Sequence, residues 1–384
     1  MRILHIIYDD IDNPWIGGGG AVRTLEIYSR IAAQGHYVKV LCGSYPGAPY
    51  LQVRRGVIYR HVGLRVPSHV LSRLSFMVGA IRLIKSARYD IVVEDVSPFS
   101  PVAAPLWVRG VPVVASVQNL PGVHATRKYG LSGWAPRLVE RPLLALFRNF
   151  IAVSPGIAHE LRARLPVRQV NITVIPNSAD RIFFEAASSS VEPPVWEDYI
   201  LFVGRIDVYQ KGLDYLIGAF DMVAERLPGV RLVIAGGGPP AQVERLSTLV
   251  AGARHGHRIQ VVGPVERAQV AQLLRGALML VMPSRYEAWP LTAIEAGAVG
   301  VPVVGSDVVG VRDAAPAFPE AHAQLVPPGD VHALAGAMLR LASDPDLRRR
   351  MGERGRAWAQ RFTWDALADQ QLAFLQQVAT AANV

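Results

Sequence analysis

The chain has 384 residues, of which hydrophobic types make up 51% and charged types 18%. This length exceeds one comfortable hydrophobic core, so two α/β domains are expected, and the apolar content excludes an intrinsically disordered chain. The single cysteine, Cys42, excludes an internal disulfide, and no spacing of Cys and His indicates a zinc site.

The first residues, MRILHIIYDD, predict a β-strand rather than a leader. Their apolar run is too short for a signal peptide and ends in acids. No stretch approaches the roughly 18 uninterrupted apolar residues that a membrane-spanning helix needs. We therefore expect a cytoplasmic protein without a membrane span.

The net charge of +9 is concentrated in the first half of the chain. Residues 1–185 carry 22 Lys and Arg against 11 Asp and Glu, whereas the remainder carries 18 against 20. This asymmetry favours an anionic partner, such as lipid headgroups or a phosphorylated acceptor, and indicates peripheral contact with an anionic membrane, for instance at the cytoplasmic face of the inner membrane. No nucleic-acid-binding signature accompanies it, so we expect no nucleic acid partner.

Taken in chain order, short β-like runs alternate with helix-like periodic segments, which is typical of doubly wound parallel sheets. In the first half, strands are predicted over residues 3–8, 38–42, 91–93, 111–117 and 150–153, with a helix over 24–33. The segment AASSSVEPPVW has little periodicity and many Ser and Pro residues, so it predicts an interdomain linker. The predicted domains are therefore residues 1–185 and 198–362, joined by a linker over 186–197.

The second half repeats the alternation. Strands are predicted over residues 200–203, 231–235, 259–262, 278–282 and 301–305, and helices over 213–226, 241–251, 267–275 and 290–298. The tail from residue 333 is predicted to be helical, with a final helix over 364–378.

A glycine run between the first strand and the first helix is a candidate phosphate site. Its members Gly18, Gly19 and Gly20 leave backbone N–H groups and the helix dipole open to an anion. The register is not G-x-G-x-x-G and no acid ends the second strand, so a nicotinamide dinucleotide is disfavoured. A plain flexible loop is the alternative.

A second glycine cluster follows the strand over 231–235. It matches G-x-G-x-x-A, but two prolines lack the N–H groups that a phosphate needs. We interpret Gly237 as part of a tight turn that lines a ligand-binding cleft.

Arg205 and Lys211 form the clearest local cluster. Arg205 is predicted at the carboxyl end of a strand and Lys211 just before a helix, where open α/β sheets bind ligands. A guanidinium fork and a mobile ammonium suit a diphosphate, because they neutralise the charge that grows as a bond to it breaks. Ordinary surface charge is the alternative.

Residues 283–304, PSRYEAWPLTAIEAGAVGVPVV, place two glutamates around a proline that suits the first turn of a helix. Leu291 and Thr292 then lie in the first turn, where their N–H groups can hold a phosphate. Glu295 lies on their face, about 6 Å further along the axis, roughly the step from a diphosphate to ribose hydroxyls. Glu287 precedes the helix and is left to face a sugar. Solvated surface carboxylates are the alternative.

These motifs resemble a known family. GRIDVYQKG, IAGGGP, VVGPV, PSRYEAWPLTAIEAGAVGVPVVGS and LVPPGD are similar to segments of the retaining family-four glycosyltransferases of the GT-B fold, and so are GGGGAVRTLEIYSRIAAQGHYVKVLC, IAVSPGI and VIPNSAD. The resemblance covers nearly the whole chain. It implies the fold class α/β, GT-B, with two Rossmann-like doubly wound domains facing across a cleft.

The resemblance also implies roles for individual residues. Arg205 and Lys211 would grip the diphosphate of a nucleotide-sugar donor, Glu295 its ribose and Glu287 the transferred sugar. The backbone near Val262 and Val265 would cradle the base.

The resemblance extends to the chemistry and to the chain ends. The glycine loop would meet the phosphates on closure. The family needs no metal and no further cofactor, and its last helix, here 363–384, returns to the first domain.

The chain departs from the family pattern at two places. Gln118 and Asn119 stand where the family often has a His that touches the donor sugar, and an amide can form hydrogen bonds but cannot titrate. His124 is near Gln118 in sequence, but we do not assign it the role of the family's His from its position alone. Trp289, between Ala288 and Pro290, replaces the usual Gly-aromatic-Gly, and its large ring is expected to affect sugar selectivity.

Three acids in the first half are acceptor-side candidates. Glu94 and Asp95 follow a strand, where paired carboxylates can orient or deprotonate an acceptor hydroxyl, although helix capping or loop hydrogen bonding explains them equally well. Asp12 belongs to a D-x-D sequence that superficially resembles a metal site, and we favour an acceptor contact or a simple turn.

Two basic stretches are candidates for membrane contact. Residues 70–88 place an apolar stripe, Val70, Leu74, Met77, Ile81 and Ile84, among Arg and Lys residues, and residues 134–148 are similar. A basic amphipathic helix can lie on an anionic membrane. Packing of the stripe on the sheet is the alternative.

Together these observations predict a retaining glycosyltransferase. It would move a hexose from a UDP- or GDP-sugar to the hydroxyl of a carbohydrate or lipid-linked acceptor, in polysaccharide, glycolipid or other glycoconjugate synthesis. A catalytically decayed sugar-nucleotide or glycan-binding protein and a GT-B-fold epimerase are the alternatives. The base, the sugar and the acceptor stay open.

Overall fold

The structure, a computed structural model, describes residues 1–15, 18–85, 88–120, 134–165, 169–186 and 198–382. The chain divides into two compact units. Unit one comprises Met1–Asn177 and Trp364–Val384, and unit two comprises Ser178–Thr363.

Unit one is built on a sheet in the order β3-β4-β2-β1-β5-β6-β7-β8. Its pairs are parallel except the antiparallel β3–β4 pair. The order in which successive strands are added to the sheet reverses at β1, which pairs in parallel with β2 on one side and β5 on the other. The strands are β1 (Arg2–Ile6), β2 (Tyr37–Gly43), β3 (Leu51–Arg54), β4 (Val57–Val62), β5 (Ile91–Asp95), β6 (Val113–Val117), β7 (Asn149–Ala152) and β8 (Asn171–Val174).

Helices connect these parallel strands. The described ones before the crossing to unit two are α1 (Gly19–Ala33), α2 (His69–Ile84), α3 (Trp134–Leu144) and α4 (Pro155–Arg164). Ser68 and Ser154 cap α2 and α4 by accepting hydrogen bonds from Leu71 N and Ile157 N. The N-cap of α1 is Gly18, which has no side chain for this purpose.

Unit two contains a fully parallel sheet in the order β11-β10-β9-β12-β13-β14. Numbered within the unit, this is the order 3-2-1-4-5-6 of a Rossmann fold, with its switch point between β9 and β12. The strands are β9 (Tyr199–Val203), β10 (Arg231–Ala235), β11 (Ile259–Gly263), β12 (Met279–Met282), β13 (Val303–Ser306) and β14 (Ala323–Val326).

The helices of unit two cover both faces of its sheet. They are α5 (Arg181–Ala186), α6 (Val208–Lys211), α7 (Leu213–Arg226), α8 (Pro240–Gly252), α9 (Arg267–Gly276), α10 (Leu291–Val299), α11 (Val309–Ala314), α12 (Val331–Ser343) and α13 (Pro345–Ala359). Strand residues such as Ile200, Phe202, Leu232 and Val281 are buried with Leu216, Phe220 and Met338 from α7 and α12. This burial leaves function to the loops at the strand ends.

The last helix, α14 (Trp364–Ala381), belongs to unit one. It packs on α1, where Asp365 and Asp369 accept hydrogen bonds from Arg30 and Gln34 at 2.8 and 2.7 Å. Its buried residues include Leu367, Leu372 and Leu375.

The observed boundary between the units differs from the predicted one. Residues 178–185 were assigned to the first domain, but α5 packs against α9 and α10 in unit two. Phe183 is fully buried there, so this short helix is part of the second core. The predicted linker, 186–197, lies outside the described residues apart from Ala186, the end of α5.

Some predicted elements also start elsewhere. Helix α1 begins at Gly19 rather than at residue 24, because the glycines form its first turn. Pro290 is the N-cap of α10 rather than a residue of its first turn. The hairpin of β3 and β4 was not predicted at all.

Candidate functional site

In unit two, the loops that follow β9 and β12 meet at the carboxyl edge of the sheet. Glycines permit this close approach. Gly212 has φ 64°, and a Cβ there would lie 2.0 Å from the Pro283 carbonyl oxygen. Gly236 has φ 144°, and its Cβ would lie 1.8 Å from the Gly204 oxygen. Any other residue at either position would push these loops apart.

Lys211 and Glu287, which sequence analysis assigned to different parts of a donor, form an ion pair. Lys211 Nζ lies 2.5 Å from Glu287 Oε1, and Ser284 Oγ donates to the same oxygen at 2.8 Å. The two side chains are only 17% and 9% exposed. The glutamate thereby fixes the direction of the ammonium, which still has N–H donors for an anion.

Arg205 follows β9 at the same edge. Its Nη2 donates to Gln210 Oε1 at 2.9 Å, and its side chain is 54% exposed. Asp207 lies further away, at 4.0 Å. Much of the guanidinium fork is therefore open to an anionic ligand.

Arg285 holds this arrangement together, and sequence analysis missed it. Its guanidinium donates to both oxygens of Asp214 at 2.9 and 2.7 Å and to the Tyr209 carbonyl at 2.6 Å. It also lies over the rings of Tyr209 and Tyr215. Arg285 thus joins the loop of Glu287 to helices α6 and α7. Its position inside the PSRYE segment was the available signal.

The N-terminus of α10 points to the same edge. Its N-cap, Pro290, offers no side-chain hydrogen bond, so the N–H groups of Leu291 and Thr292 are not satisfied by a cap. Both residues are half-buried. This helix start is suited to bind an anion.

Glu295, one turn further along α10, is fully buried rather than a solvated surface residue. Its Oε1 accepts a hydrogen bond from Arg267 Nη1 at 2.7 Å. Burial raises the pKa of Glu295, although the charge of Arg267 opposes this shift. Arg267 also pairs with Asp180. Neither Arg267 nor Asp180 was selected from the sequence, because their partners are distant along the chain.

Gly237 and the segment of Val262 and Val265 lie at the same edge. The Gly237 carbonyl accepts from Ile206 N at 2.8 Å, and a Cβ at Gly237 would lie 3.0 Å from Pro264 Cγ. Val262 and Val265 are half-buried. The turn at Gly237 thus contacts the loop after β9 and the loop after β11.

Trp289 does not have the expected exposure for a sugar contact. Its ring is 7% exposed and packs edge-on against Phe362 at a centroid distance of 5.4 Å. Phe362 also packs against Trp358. The tryptophan is a core residue of unit two, because its apolar ring gains more by burial than by exposure at the loop.

In unit one, the glycine loop lies beside Gln118. Gly18 precedes α1, and Gly19 and Gly20 open it. A Cβ at Gly20 would lie 3.6 Å from Asp9 Oδ2 and 3.9 Å from Gln118 Cγ. Gln118 donates to Ser116 Oγ at 3.1 Å. Asn119 is exposed, and His124 lies outside the described residues.

Glu94 and Asp95 are not a solvent-facing carboxylate pair. Glu94 is buried and accepts from the N–H groups of Val102, Ala103 and Ala104 at 2.7–3.1 Å. Burial raises its pKa to about 7 against these hydrogen bonds. Glu94 therefore organises the loop after β5, which is the loop hydrogen bonding that the sequence offered as the alternative to an acceptor role.

Asp95 is also directed inward. Its Oδ2 lies 3.5 Å from His5 Nε2, with side chains that are 8% and 3% exposed. His5 in turn lies 3.1 Å from the hydroxyl of Tyr28 on α1. Asp95 thus belongs to a buried polar network, and its predicted acceptor contact is not supported.

Asp12 is tied to a second buried network. Arg54 bridges Asp12 and Asp10 at 2.6 and 2.7 Å. Burial raises the pKa of Asp10, but the contact with His61 at 3.7 Å and hydrogen bonds from Arg54 outweigh it and lower that pKa to about 2. The ligand atoms of Asp10, Cys42 and His61 lie within 4.8 Å of one another. Because Arg54 already neutralises Asp10, we interpret this cluster as a structural ion pair.

Helix α2 has two apolar faces. Phe76, Ala80 and Ile84 are buried against the sheet, while Val70, Leu71, Leu74 and Val78 are each at least half exposed. The predicted stripe is therefore divided: Ile84 packs inward, whereas Val70 and Leu74 face outward. None of the helices among the described residues has the length and apolarity to cross a bilayer.

Comparisons with known proteins agree with this architecture. The model of glycosyltransferase family 4 matches residues 17–181, and that of glycosyl transferases group 1 matches residues 184–358. The D-inositol 3-phosphate glycosyltransferase of Xylanimonas cellulosilytica is 36% identical over 96% of this chain and 94% of its own length. The phosphatidyl-myo-inositol mannosyltransferase of Mycobacterium leprae is 28% identical over 83% of this chain and 94% of its own.

Comparison with a solved structure supports the same fold. The sucrose-phosphate synthase of Thermosynechococcus elongatus superposes with a TM-score of 0.82 at 23% identity, covering 99% of this chain and 100% of that one. Two Rossmann-like units with this likeness define a protein of the GT-B fold. The chain belongs to glycosyltransferase family four, and the predicted glycosyltransferase class is confirmed.

Proposed function

We propose that the chain transfers a hexose from a UDP- or GDP-sugar to an acceptor hydroxyl with retention of anomeric configuration. The observation that carries the proposal is the convergence of Lys211, Glu287 and the start of α10 at one edge of unit two. A diphosphate needs cations and free N–H groups together, and this edge offers both. Arg205, open at the same edge, adds a guanidinium fork.

The chemistry follows from these charges. As the bond between the anomeric carbon and the phosphate oxygen breaks, negative charge grows on the diphosphate, and Lys211 and Arg205 stabilise it. The acceptor oxygen forms the new bond on the same face, and its proton passes to the departing phosphate oxygen. The products are a glycoside and a nucleoside diphosphate. We propose that these side chains fulfil the charge-neutralising role without a metal or another cofactor.

For the acceptor we propose unit one. The basic first half of the chain, the glycine loop and Gln118 support this assignment. The related D-inositol 3-phosphate glycosyltransferase and phosphatidyl-myo-inositol mannosyltransferase both have names that specify phosphorylated inositols. We therefore propose an acceptor that carries a phosphate, either free or in a lipid.

We further propose that unit one contacts an anionic membrane from the cytoplasmic side through the outer face of α2. Val70, Leu71, Leu74 and Val78 form the apolar part of this surface. Next to it, a cavity of about 530 Å³ is lined by Arg60, Arg65 and Arg82. Apolar insertion combined with arginines suits a surface of anionic lipid.

The activity is tested by measuring UDP or GDP released from a panel of nucleotide sugars. Acceptors are inositol phosphate, phosphatidylinositol in vesicles, and buffer alone. We expect acceptor-dependent release that persists in EDTA, and a product that keeps the donor's anomeric configuration by NMR. Absence of release with every donor and acceptor would refute the proposed transfer, and loss of release in EDTA would refute the metal-independent chemistry.

A further inference from the structure

Glu295 is fully buried, but only one of its carboxylate oxygens has a partner. Oε1 accepts from Arg267 Nη1 at 2.7 Å, whereas Oε2 is buried without a hydrogen-bond partner among the described residues. A buried carboxylate oxygen in that state is costly unless a ligand satisfies it. The geometry therefore leaves one defined acceptor position on Glu295.

Arg267 is itself held on several sides. Its Nε donates to Asp180 Oδ2 at 2.8 Å, and its Nη2 lies 2.7 Å from the same oxygen. Its guanidinium lies over the ring of Phe183 at 4.8 Å. Asp180 directly precedes α5 and Phe183 lies within it, at the start of unit two. A planar guanidinium fixed in this way allows Glu295 few orientations.

We propose that Arg267 is a positioning residue for donor recognition, which turns the Glu295 carboxylate so that Oε2 accepts a hydrogen bond from a ribose hydroxyl of the nucleoside diphosphate. This inference rests on the proposed function. It adds that recognition of ribose depends on the chain of three charged groups, Asp180, Arg267 and Glu295. The open oxygen requires a donor, which a ribose hydroxyl supplies and a deoxyribose carbon at the same position does not.

The charges around Glu295 support this role. Burial raises the pKa of Glu295, Arg267 opposes the rise, and Asp180 adds to it. Two other titratable side chains contact the backbone of α10. His322 Nε2 lies 3.0 Å from the Ala293 carbonyl oxygen, and Arg356 donates to the Val299 carbonyl. Without Arg267, the pKa of Glu295 would rise further, because its ionised form would lose its cation.

The experiment measures binding of UDP and GDP, and of their 2′-deoxy and 2′,3′-dideoxy forms, by calorimetry. We expect the wild type to prefer the ribose forms by about ten- to a hundredfold, as for hydrogen bonds to charged groups. In Arg267→Met this preference should vanish while binding of the dideoxy forms changes little. Arg267→Lys should restore part of it. Arg254→Met, which removes an exposed ion pair with Glu225, is the matched control and should bind like the wild type.

A pH series provides a second readout that a merely structural role would not change. Ribose-form affinity of Arg267→Met should improve with rising pH more than that of the wild type, because loss of Arg267 raises the pKa of Glu295 further. If Arg267→Met does not fold, Arg267→Lys and Glu295→Gln are compared with the wild type instead. Both variants should show a smaller preference for the ribose forms over the deoxy forms.

The possible results separate this inference from the proposed function. If the wild type binds no nucleoside diphosphate, the donor site itself is wrong. If it binds and discriminates, but the Arg267 variants discriminate equally well or weaken ribose and dideoxy forms alike, only the positioning role is overturned.

Discussion

Lys211 and Glu287 each depend on the other for charge neutralisation, since both side chains are mostly buried at their ion pair. We predict that Lys211→Met lowers the free energy of unfolding by about 1–3 kcal/mol, because it leaves a carboxylate poorly paired. Turnover should fall by about 10²–10³, as when one preorganised donor to a developing charge is lost. Urea unfolding and initial rates of nucleotide release measure the two effects.

A double variant separates stability from catalysis at this pair. Lys211→Met with Glu287→Leu should recover stability, because no unpaired charge remains, but should stay inactive. Arg181→Met, which removes an exposed pair with Glu185, is the control and should change stability by less than about 0.5 kcal/mol. Wild-type turnover in Lys211→Met would contradict the assignment.

Individual residues were predicted from their chemistry and their place on an element, but their partners were not. Arg205, Lys211 and Glu287 follow strands whose carboxyl ends meet, so their gathering at one edge was predictable. Glu94 also follows a strand, yet three backbone N–H groups of the next loop turn it inward. Loop hydrogen bonding was one of the two alternatives, but a loop's backbone path is absent from sequence patterns, so the sequence did not decide between them.

At the scale of elements, α2 combines a packed face with an exposed apolar face, and periodicity alone did not distinguish them. Phe76 and Ala80 are buried by the end of β4, where a Cβ on Gly79 would lie 2.5 Å from Val62 Cγ1. This close contact fixes the rotation of the helix. Leu71 and Leu74 are then directed away from the core.

We predict that Leu71→Ser with Leu74→Ser weakens binding to vesicles containing anionic lipid by about tenfold or more, because each buried leucine contributes about 1.5–3 kcal/mol. Folding should be little affected, since both residues are exposed. Arg65→Gln with Arg82→Gln should remove only the preference for anionic over neutral vesicles. Co-sedimentation measures both effects.

The matched control for α2 is Val53→Ser, which removes an exposed valine from the edge strand β3. It should leave vesicle binding unchanged. Equal binding by the α2 variants and the wild type would exclude this face as the membrane contact.

For the whole molecule, the alternation of strands and helices predicted two doubly wound units, and the strand orders agree with it. The boundary was misplaced by α5, whose six residues carry too little periodicity to show which core they join. Arg267 was missed for a similar reason, because its partner Asp180 lies 87 positions away. Long-range pairing of this kind is a property of the folded chain.

The chain leaves unit one after Asn177 and returns to it at Trp364, and Arg23 of α1 contacts the residues just before the exit and Gln371 of the helix that follows the return. Its guanidinium donates to the carbonyls of Ile175 and Pro176 at 2.9 and 2.8 Å, to Asn177 Oδ1 at 2.9 Å and to Gln371 Oε1 at 2.9 Å. Burial lowers its pKa to about 10, so it stays charged at neutral pH.

We predict that Arg23→Met destabilises unit one by about 3–5 kcal/mol, because it leaves several buried oxygen acceptors without a donor. Hydrogen exchange should accelerate in β8 and α14 more than in the sheet of unit two, because Arg23 binds the residues that follow β8 and Gln371 within α14. Arg30→Met, on the same helix but in a partly exposed pair with Asp365, should cost no more than about 1 kcal/mol. Unchanged exchange in both segments of Arg23→Met would show that the chain crossings are held in place without this arginine.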